Sequence, residues 1–322
     1  MDLSSLNKAE LHVHLEGSVT PETLQEIEPA LSLEEIRSHY QYDNFLGFLQ
    51  SYKWVNLHLR TPEHFGLITR RLLEDLARQG VRYAEVNVSA GVVLWRGMDL
   101  GPVFDAISSA AQAGPIPVRF IFDAVRQFGL EHVWSVARAA VQRKDRGVVG
   151  FGVGGDEAGG PVELFREVFD YARAAGLHLA PHAGETVGPA SVWAALECGA
   201  ERIGHGIRSI DDPVLVAHLR DRRIPLEVSI SSNVCTGAVS SLKEHPVRRL
   251  YDAGVPLVLN TDDPPMFHTT LVREYEIARD EFGFGEADLR ALAENSFRFA
   301  FGSVPGFQPD SQQRQQDRRP GE

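Results

Sequence analysis

His12-Val13-His14 places two imidazoles one residue apart near the start of the chain. On a strand, residues two apart project to the same side, so both rings can meet at one metal ion, or each can find a buried hydrogen-bond partner. Three later segments combine an imidazole or a carboxylate with turn-forming neighbours, the pattern of a strand end. They are His182-Ala183-Gly184-Glu185, Gly204-His205-Gly206 and Asn260-Thr261-Asp262-Asp263-Pro264. Four of the twelve histidines stand at these positions. If those strand ends open on one mouth, imidazoles and carboxylates from distant parts of the chain converge. Such a set, without cysteine, suits zinc or another divalent first-row ion.

The elements that must position them are short runs ending in Gly, Asp, Asn or Ser, each followed by a helical pattern. Eight are visible: 10–15, 82–89, 118–124, 148–153, 178–182, 202–205, 225–231 and 256–261. Amphipathic segments lie between them, such as 62–80, 130–144, 162–176 and 246–254, with Gly80, Gly176 and Gly254 as helix stops. Eight β-then-α units predict an α/β fold, a (β/α)₈ TIM-type barrel, whose strands all open at one end. The competing fold is an open doubly wound sheet with a Gly-rich phosphate loop. Its best candidate is Gly150-Phe151-Gly152-Val153-Gly154-Gly155, but Asp156 and Glu157 follow and would repel a phosphate. Residues 17–61 form a long insertion after strand one, rich in aromatics (Tyr40, Tyr42, Phe45, Phe48, Tyr52, Trp54), and are expected to be a helical lid. The barrel domain is expected over 1–304. A Gln/Arg/Asp/Pro-rich tail over 305–322 is expected to be disordered.

Composition bounds the partners. The net charge is −12, which argues against nucleic acid and against an anionic membrane surface. No run approaches the ~18 apolar residues of a membrane span, and the N-terminus lacks the pattern of a signal peptide. Cys198 and Cys235 form no C-x-x-C pair and predict no disulfide framework. A cytoplasmic location is expected. His14-Leu15-Glu16 matches half of the H-x-E…P-C-x-x-C pattern of one zinc deaminase class, but no P-C-x-x-C exists here.

The blocks KAELHVHLEG, GGDE, HAGE, RIGHG and NTDDP, in this order, resemble the adenosine deaminase family of the amidohydrolase superfamily, from about Leu6 to Phe301. The resemblance implies one Zn²⁺ per chain, held by His12, His14, His182 and Asp262, and a small purine nucleoside as substrate. It further implies that the ion makes hydroxide available near neutral pH. His205 would orient the attacking water, and Asp262 would take its proton. Glu185 would protonate the ring nitrogen beside the amino-bearing carbon, which requires a carboxyl kept protonated by a dry pocket. Asp263 would contact the five-membered ring, and the Gly155 N–H the remaining pyrimidine nitrogen. Glu16 stands where adenosine deaminases of this family carry Asp facing the 5′-hydroxyl. Adenine deaminases of the family also carry Glu there, and a longer acid suits a 5′-modified adenosine such as methylthioadenosine or aminodeoxyfutalosine, while GGDE favours a nucleoside; the expected reaction is hydrolytic deamination of adenosine or such a 5′-modified adenosine, with adenine as the alternative.

Two other functions compete. A metal hydrolase of phosphoesters or lactones would often place a metal-bridging lysine after strand four, where Gly152 to Glu157 offer none. A non-catalytic purine-binding barrel would have lost a ligand or Glu185. Of the remaining histidines, His58 and His64 are expected in solvent and His245 at a helix start, while His268 follows strand eight closely enough to touch substrate. Phe48 and Trp54 are candidates for the pocket wall or for the core.

Overall fold

The computed structural model of the chain describes residues 1–304 and 306; the tail expected over 305–322 lies outside them apart from Gly306. Its strands are β1 (Lys8–His14), β2 (Val81–Val88), β3 (Val118–Val125), β4 (Val148–Gly154), β5 (His178–Leu179), β6 (His182–Ala183), β7 (Ile203–His205), β8 (Leu226–Val228) and β9 (Leu257–Leu259). Every residue of β1 is buried and β2 to β4 nearly so, as expected of parallel strands covered on both faces. All pairings are parallel, in the orders β1-β2-β3-β4-β5 and β6-β7-β8-β9.

The two sheets are one barrel wall with two seams. β5 and β6 are parts of a single fifth strand broken at Ala180-Pro181, because Pro181 has no N–H to give to the ladder. The Ala180 N–H still donates to the Phe151 carbonyl (3.2 Å), and the Pro181 carbonyl accepts from Gly204 (3.0 Å). The ring closes where the Val13–Asp262 bridge joins strand one to the end of strand eight. There the His14 N–H donates to the Asp262 carbonyl at 2.8 Å, and the Asp262 N–H to the His12 carbonyl at 2.9 Å. The predicted eight-strand α/β barrel is thus formed.

The helices are α1 (Pro21–Ile27), α2 (Leu33–His39), α3 (Phe45–His58), α4 (Pro62–Arg78), α5 (Ala90–Trp95), α6 (Leu100–Gln112), α7 (Leu130–Val141), α8 (Arg166–Ala174), α9 (Pro189–Glu197), α10 (Pro213–Asp221), α11 (Ile230–Cys235), α12 (Val247–Asp252), α13 (Leu271–Phe282) and α14 (Glu286–Arg298). Gly80, Gly176 and Gly254 end α4, α8 and α12 with φ of +79°, +85° and +83°, a conformation glycine adopts without a Cβ clash. The seventh strand is shorter than the sequence suggests. It stops at Val228, and Ile230 and Ser231 open α11 instead, because the buried Glu274 carboxylate takes both of their N–H groups (2.9 and 3.3 Å). The insertion after β1 is helical, as predicted: α1, α2 and α3 occupy it, and α3 lies along the mouth.

Candidate active site

His12 and His14 end β1, His182 opens β6, His205 ends β7, and Asp262 and Asp263 follow β9. The barrel brings them together. The His14 Nε2 lies 3.3 Å from the His182 Nε2 and 3.3 Å from the Asp262 Oδ1. The His12 Nε2 stands 3.5 Å from the same oxygen. The His205 Nε2 lies 3.9 Å from Asp262 Oδ2 and 3.7 Å from Glu185 Oε2. Ligand atoms of His12, His182, His205 and Asp262 all fall within 4.8 Å of one another, as do those of His14, Asp262 and Asp263.

These residues fit a divalent cation. The His12 Nε2 is buried and has no hydrogen-bond partner, although its Nδ1 is fixed by Glu227 at 2.6 Å. An imidazole oriented by a carboxylate, with its other nitrogen left bare toward a common point, is the arrangement of a metal ligand. Charge agrees. Burial disfavours a charged His12, yet the nearby Asp262 carboxylate and the hydrogen-bonded Glu227 raise its pKa well above the usual value. Burial and the neighbouring rings push His182 well below, and burial holds His205 down to about 4. The cluster therefore draws positive charge to the point between the carboxylates and keeps the His182 and His205 imidazoles neutral.

Backbone strain marks the same place. His205 and Asp262 have φ of +60° and +64°, in the left-handed region. For non-glycine residues this costs roughly 1–3 kcal/mol each and persists only where the surroundings enforce it. Asn233 reaches the His205 Nδ1 at 3.1 Å and is itself met by His245 Nε2 at 3.1 Å. Ser232 donates to Asp262 Oδ2 at 2.7 Å. His245, expected only to begin a helix, is thus a buried link behind His205.

Glu185 sits on the rim after β6, 6% exposed. Burial, with Asp262 and Glu157 nearby, raises its pKa to about 8, so near neutrality it carries a proton. Its loop is held by Glu157, whose carboxylate accepts from the N–H groups of Gly184 (2.5 Å), Glu185 (3.2 Å), Thr186 (2.9 Å) and Val187 (3.0 Å) and from the Thr186 and Ser191 hydroxyls. Burial favours the neutral acid at Glu157, but these donors outweigh it and lower its pKa. Arg126 is buried behind the cluster, its guanidinium spent on the carbonyls of Gly160 and His182. Asp263 is pushed well above the usual aspartate range by burial and by Asp262. Its Oδ1 is unpartnered, and a Cβ added at Gly17 would fall 1.5 Å from it.

The mouth opens into a cavity of about 430 Å³. Of the expected site residues, His14, His182, Glu185, His205, Asp262, Asp263 and Gly155 line it. Glycines of β4 make this wall thin: a Cβ on Gly152 or Gly154 would come within 2.9 or 2.8 Å of the Asp123 carboxylate, and one on Gly155 (φ +95°) within 2.4 Å of Gln127. The Gly-rich run is therefore a bare wall. Asp123 faces the cavity from β3 and was not evident from sequence; burial raises its pKa to about 6. Glu16 is placed differently from expectation. It is fully buried behind the wall, and both its oxygens accept from the Ser89 N–H (3.2 and 3.1 Å). What lines the cavity there is Ser89 and Tyr52, hydrogen-bonded to each other at 2.7 Å, with the Tyr52 hydroxyl 3.5 Å from Glu16. Phe48 joins the lining, Trp54 stacks on His39 instead, and His268 is exposed away from it. A larger groove, about 650 Å³, lies where β3 and β4 begin, lined by Arg119, Lys144 and Arg146. It holds no convergent ligand set among the described residues, so the chemistry belongs to the mouth.

Comparison with known proteins agrees with this geometry. A sequence model of the family described as adenosine deaminase matches residues 7–307. An aminodeoxyfutalosine deaminase of Streptomyces coelicolor is 42% identical over 318 residues, covering 94% of this chain and 82% of that one. The crystal structure of adenine deaminase from Arthrobacter aurescens superposes with a TM-score of 0.87 at 28% identity, covering 96% of each chain. A Burkholderia ambifaria amidohydrolase solved with bound Zn gives a TM-score of 0.87 at 26% identity, over 94% of this chain and 87% of that one. A barrel whose mouth gathers histidines, Asp262 and a protonated glutamic acid, matched end to end by that family, identifies the chain as a member of the adenosine deaminase family, an aminohydrolase of an adenine-containing substrate.

Proposed function

We propose that this chain removes the 6-amino group of a 5′-modified adenosine, with aminodeoxyfutalosine foremost and adenosine itself accepted, using one Zn²⁺ held by His12, His14, His182 and Asp262. The observation that carries the chemistry is Glu185, a buried carboxyl that keeps its proton to about pH 8 and stands 3.7 Å from the His205 imidazole. A bound divalent ion supplies hydroxide near neutral pH by lowering the pKa of water. His205, neutral and with its Nδ1 met by Asn233, turns its Nε2 toward Asp262 and Glu185 and orients the attacking water. Asp262 Oδ2 accepts the water's proton. Glu185 gives its proton to the ring nitrogen next to the amino-bearing carbon, which makes that carbon electrophilic. The protonated Asp263 donates to the nitrogen of the five-membered ring, and the Gly155 N–H to the remaining pyrimidine nitrogen. The proton taken up by Asp262 passes to the amino group, which leaves as ammonia; the new C6 hydroxyl returns a proton to Glu185, and a 6-oxopurine remains.

Glu16 serves the sugar end indirectly. Its carboxylate fixes the Ser89 backbone and stands beside Tyr52, and the paired hydroxyls of those two residues face the ligand. The Streptomyces relative's name supports a 5′-modified nucleoside. The likeness to the Arthrobacter enzyme supports free adenine as the second reading. Ammonia release from adenine, adenosine, deoxyadenosine, methylthioadenosine and aminodeoxyfutalosine decides between them. The highest kcat/KM on aminodeoxyfutalosine is expected; a strong preference for free adenine overturns the nucleoside assignment and leaves the deamination standing.

A further inference from the structure

Two hydrogen-bond chains run behind the mouth, and they set opposite polarities on two histidines. One ends on His12. Glu227, ion-paired with Arg202 at 2.5 Å, can only accept, so the His12 Nδ1 carries the proton at their 2.6 Å contact and the Nε2 is left bare. The other ends on His205, and its direction follows from a group that cannot reverse. The Val247 N–H donates to the His245 Nδ1 at 3.1 Å. Burial holds the His245 pKa down to about 3, so near neutrality the ring has one proton, and with Nδ1 accepting, that proton sits on Nε2. The Nε2 stands 3.1 Å from the Asn233 Oδ1 and donates to it. The other half of that amide, the Nδ2 group, faces the His205 Nδ1 at 3.1 Å and donates there. A reversed amide would set its NH₂ against the His245 N–H, donor against donor.

The His205 Nδ1 is therefore an acceptor, and the neutral ring carries its proton on Nε2. A second proton on Nδ1 would meet the Asn233 NH₂, so the relay also opposes the imidazolium. His205, Asn233 and His245 come from the end of β7, from α11 and from the turn before α12, and all three are buried, which shields the relay from water. The His205 Nε2 lies 3.9 Å from Asp262 Oδ2 and 3.7 Å from Glu185 Oε2. Its hydrogen meets neither carboxylate directly, but it suits an oxygen atom seated among the three groups.

We propose that His245 and Asn233 are positioning residues that lock His205 in its Nε2–H form, so that His205 acts only as a hydrogen-bond donor to the reacting oxygen and neither takes the water's proton nor ligates the ion. This deepens the deamination reading above, and only the kinetic half of the test rests on it. The full chain, loaded with zinc and isotopically labelled in its histidine rings, is read by nitrogen NMR at about pH 7, with His205 assigned by the signals lost in His205→Gln. A bare Nδ1 and a protonated Nε2 are expected in wild type; a protonated Nδ1 or a bare Nε2 on His205 overturns the relay with no variant needed. Asn233→Asp keeps the shape and sets an acceptor against Nδ1, which should gain a proton. Its neutral ring then has a bare Nε2, and kcat on adenosine at about pH 8 should fall at least ~100-fold relative to wild type, the scale of losing one donor to a developing oxyanion, with KM within about threefold. Toward about pH 6 this variant should recover relative to wild type, as a second proton returns the Nε2–H. Asn233→Ala offers Nδ1 neither donor nor acceptor, leaves the Nε2–H form open, and should lose only about tenfold with no such recovery. A packing role gives the opposite order, because aspartate is nearly isosteric with asparagine, and that order at equal zinc content overturns the proposal. Absence of ammonia release in wild type overturns the deamination reading instead, and the spectra still decide the relay.

Discussion

Replacing Glu157 by glutamine should injure catalysis through Glu185, whose backbone N–H, and not its carboxyl, Glu157 holds. The wild-type Oε2 accepts from the N–H groups of Glu185, Thr186 and Val187 and from the Thr186 hydroxyl, and Oε1 accepts from Gly184 and Ser191. Glutamine keeps one oxygen. If that oxygen serves the Oε2 side, its amide NH₂ confronts the Gly184 N–H, a buried donor left unsatisfied at about 1–3 kcal/mol. The bonds that remain lose their charge assistance, adding roughly 0.5–1 kcal/mol for each of three N–H groups. Removing a buried charge returns part of this, so a net destabilisation of about 2–4 kcal/mol is expected. The larger effect is geometric. The loop carries Glu185, the proposed proton donor, and a shift of about 1 Å there should cost on the order of 100-fold in kcat. Denaturant titration of Glu157→Gln gives the first number and steady-state ammonia release the second. A kcat within about threefold of wild type would refute the positioning role. The same carboxylate sets an acid limit. Its pKa lies below the usual 4.5 in the folded chain, so its stabilisation is full above that value and lost as pH falls through the folded value.

Elemental analysis should find about one divalent ion per chain, and stripping it with chelator should abolish turnover; full activity of metal-free protein would remove the ion from the mechanism. Glu185→Gln keeps shape but has no proton to give, so kcat should fall at least ~100-fold with little change in KM, and near-normal turnover would end its role as acid. In wild type the protonated acid is the active form, so kcat should decline as pH rises through about 8, and a rate still rising there contradicts the assignment. Glu227→Gln weakens the 2.6 Å hold on His12. It should lower metal affinity by about 10- to 100-fold in competition with a chromophoric chelator, and unchanged affinity would make Glu227 a mere core residue.

The strand ends were legible because their residues are chemically distinctive and the barrel forces all strand C-termini to one side. His12, His14, His182, Glu185, His205 and Asp262 needed only the alternation rule and the topology to be placed together. The supports were illegible because their partners lie far along the chain. In the sequence Glu157 is only one of two carboxylates that would repel a phosphate, yet it bonds residues 27 to 34 positions away. Glu227 and Arg202 offered a usable signal, a charge inside or beside a short apolar strand, which must be paired if buried. They are indeed paired at 2.5 Å, with Glu85 completing the set at 2.6 Å. Continued alternation from His12 and His14 would aim Glu16 at the mouth. The chain leaves β1 at His14 and turns into a short 3-10 helix from Glu16, so alternation no longer applies there.

The mouth is a place where the fold works against its own stability, and that cost explains its chemistry. Asp123, Glu185, Asp262 and Asp263 are buried on one cavity wall and Glu16 just behind it, while Arg126 nearby is committed to backbone carbonyls. Carboxylates so placed cannot all be ionised without a cation. Two outcomes relieve the excess: a divalent ion among the histidines at Asp262, and protons retained on Glu185 and Asp263, both of which the surroundings push upward. Deamination of an adenine ring needs both. Attack on the ring carbon requires activated water on one side, and the ring and leaving amine require protons on the other. In the proposed mechanism, the crowding of acids that would be a defect in an ordinary core thus sets the lytic centre and the proton donors a few ångströms apart, with His205 between them at 3.9 Å from Asp262 and 3.7 Å from Glu185.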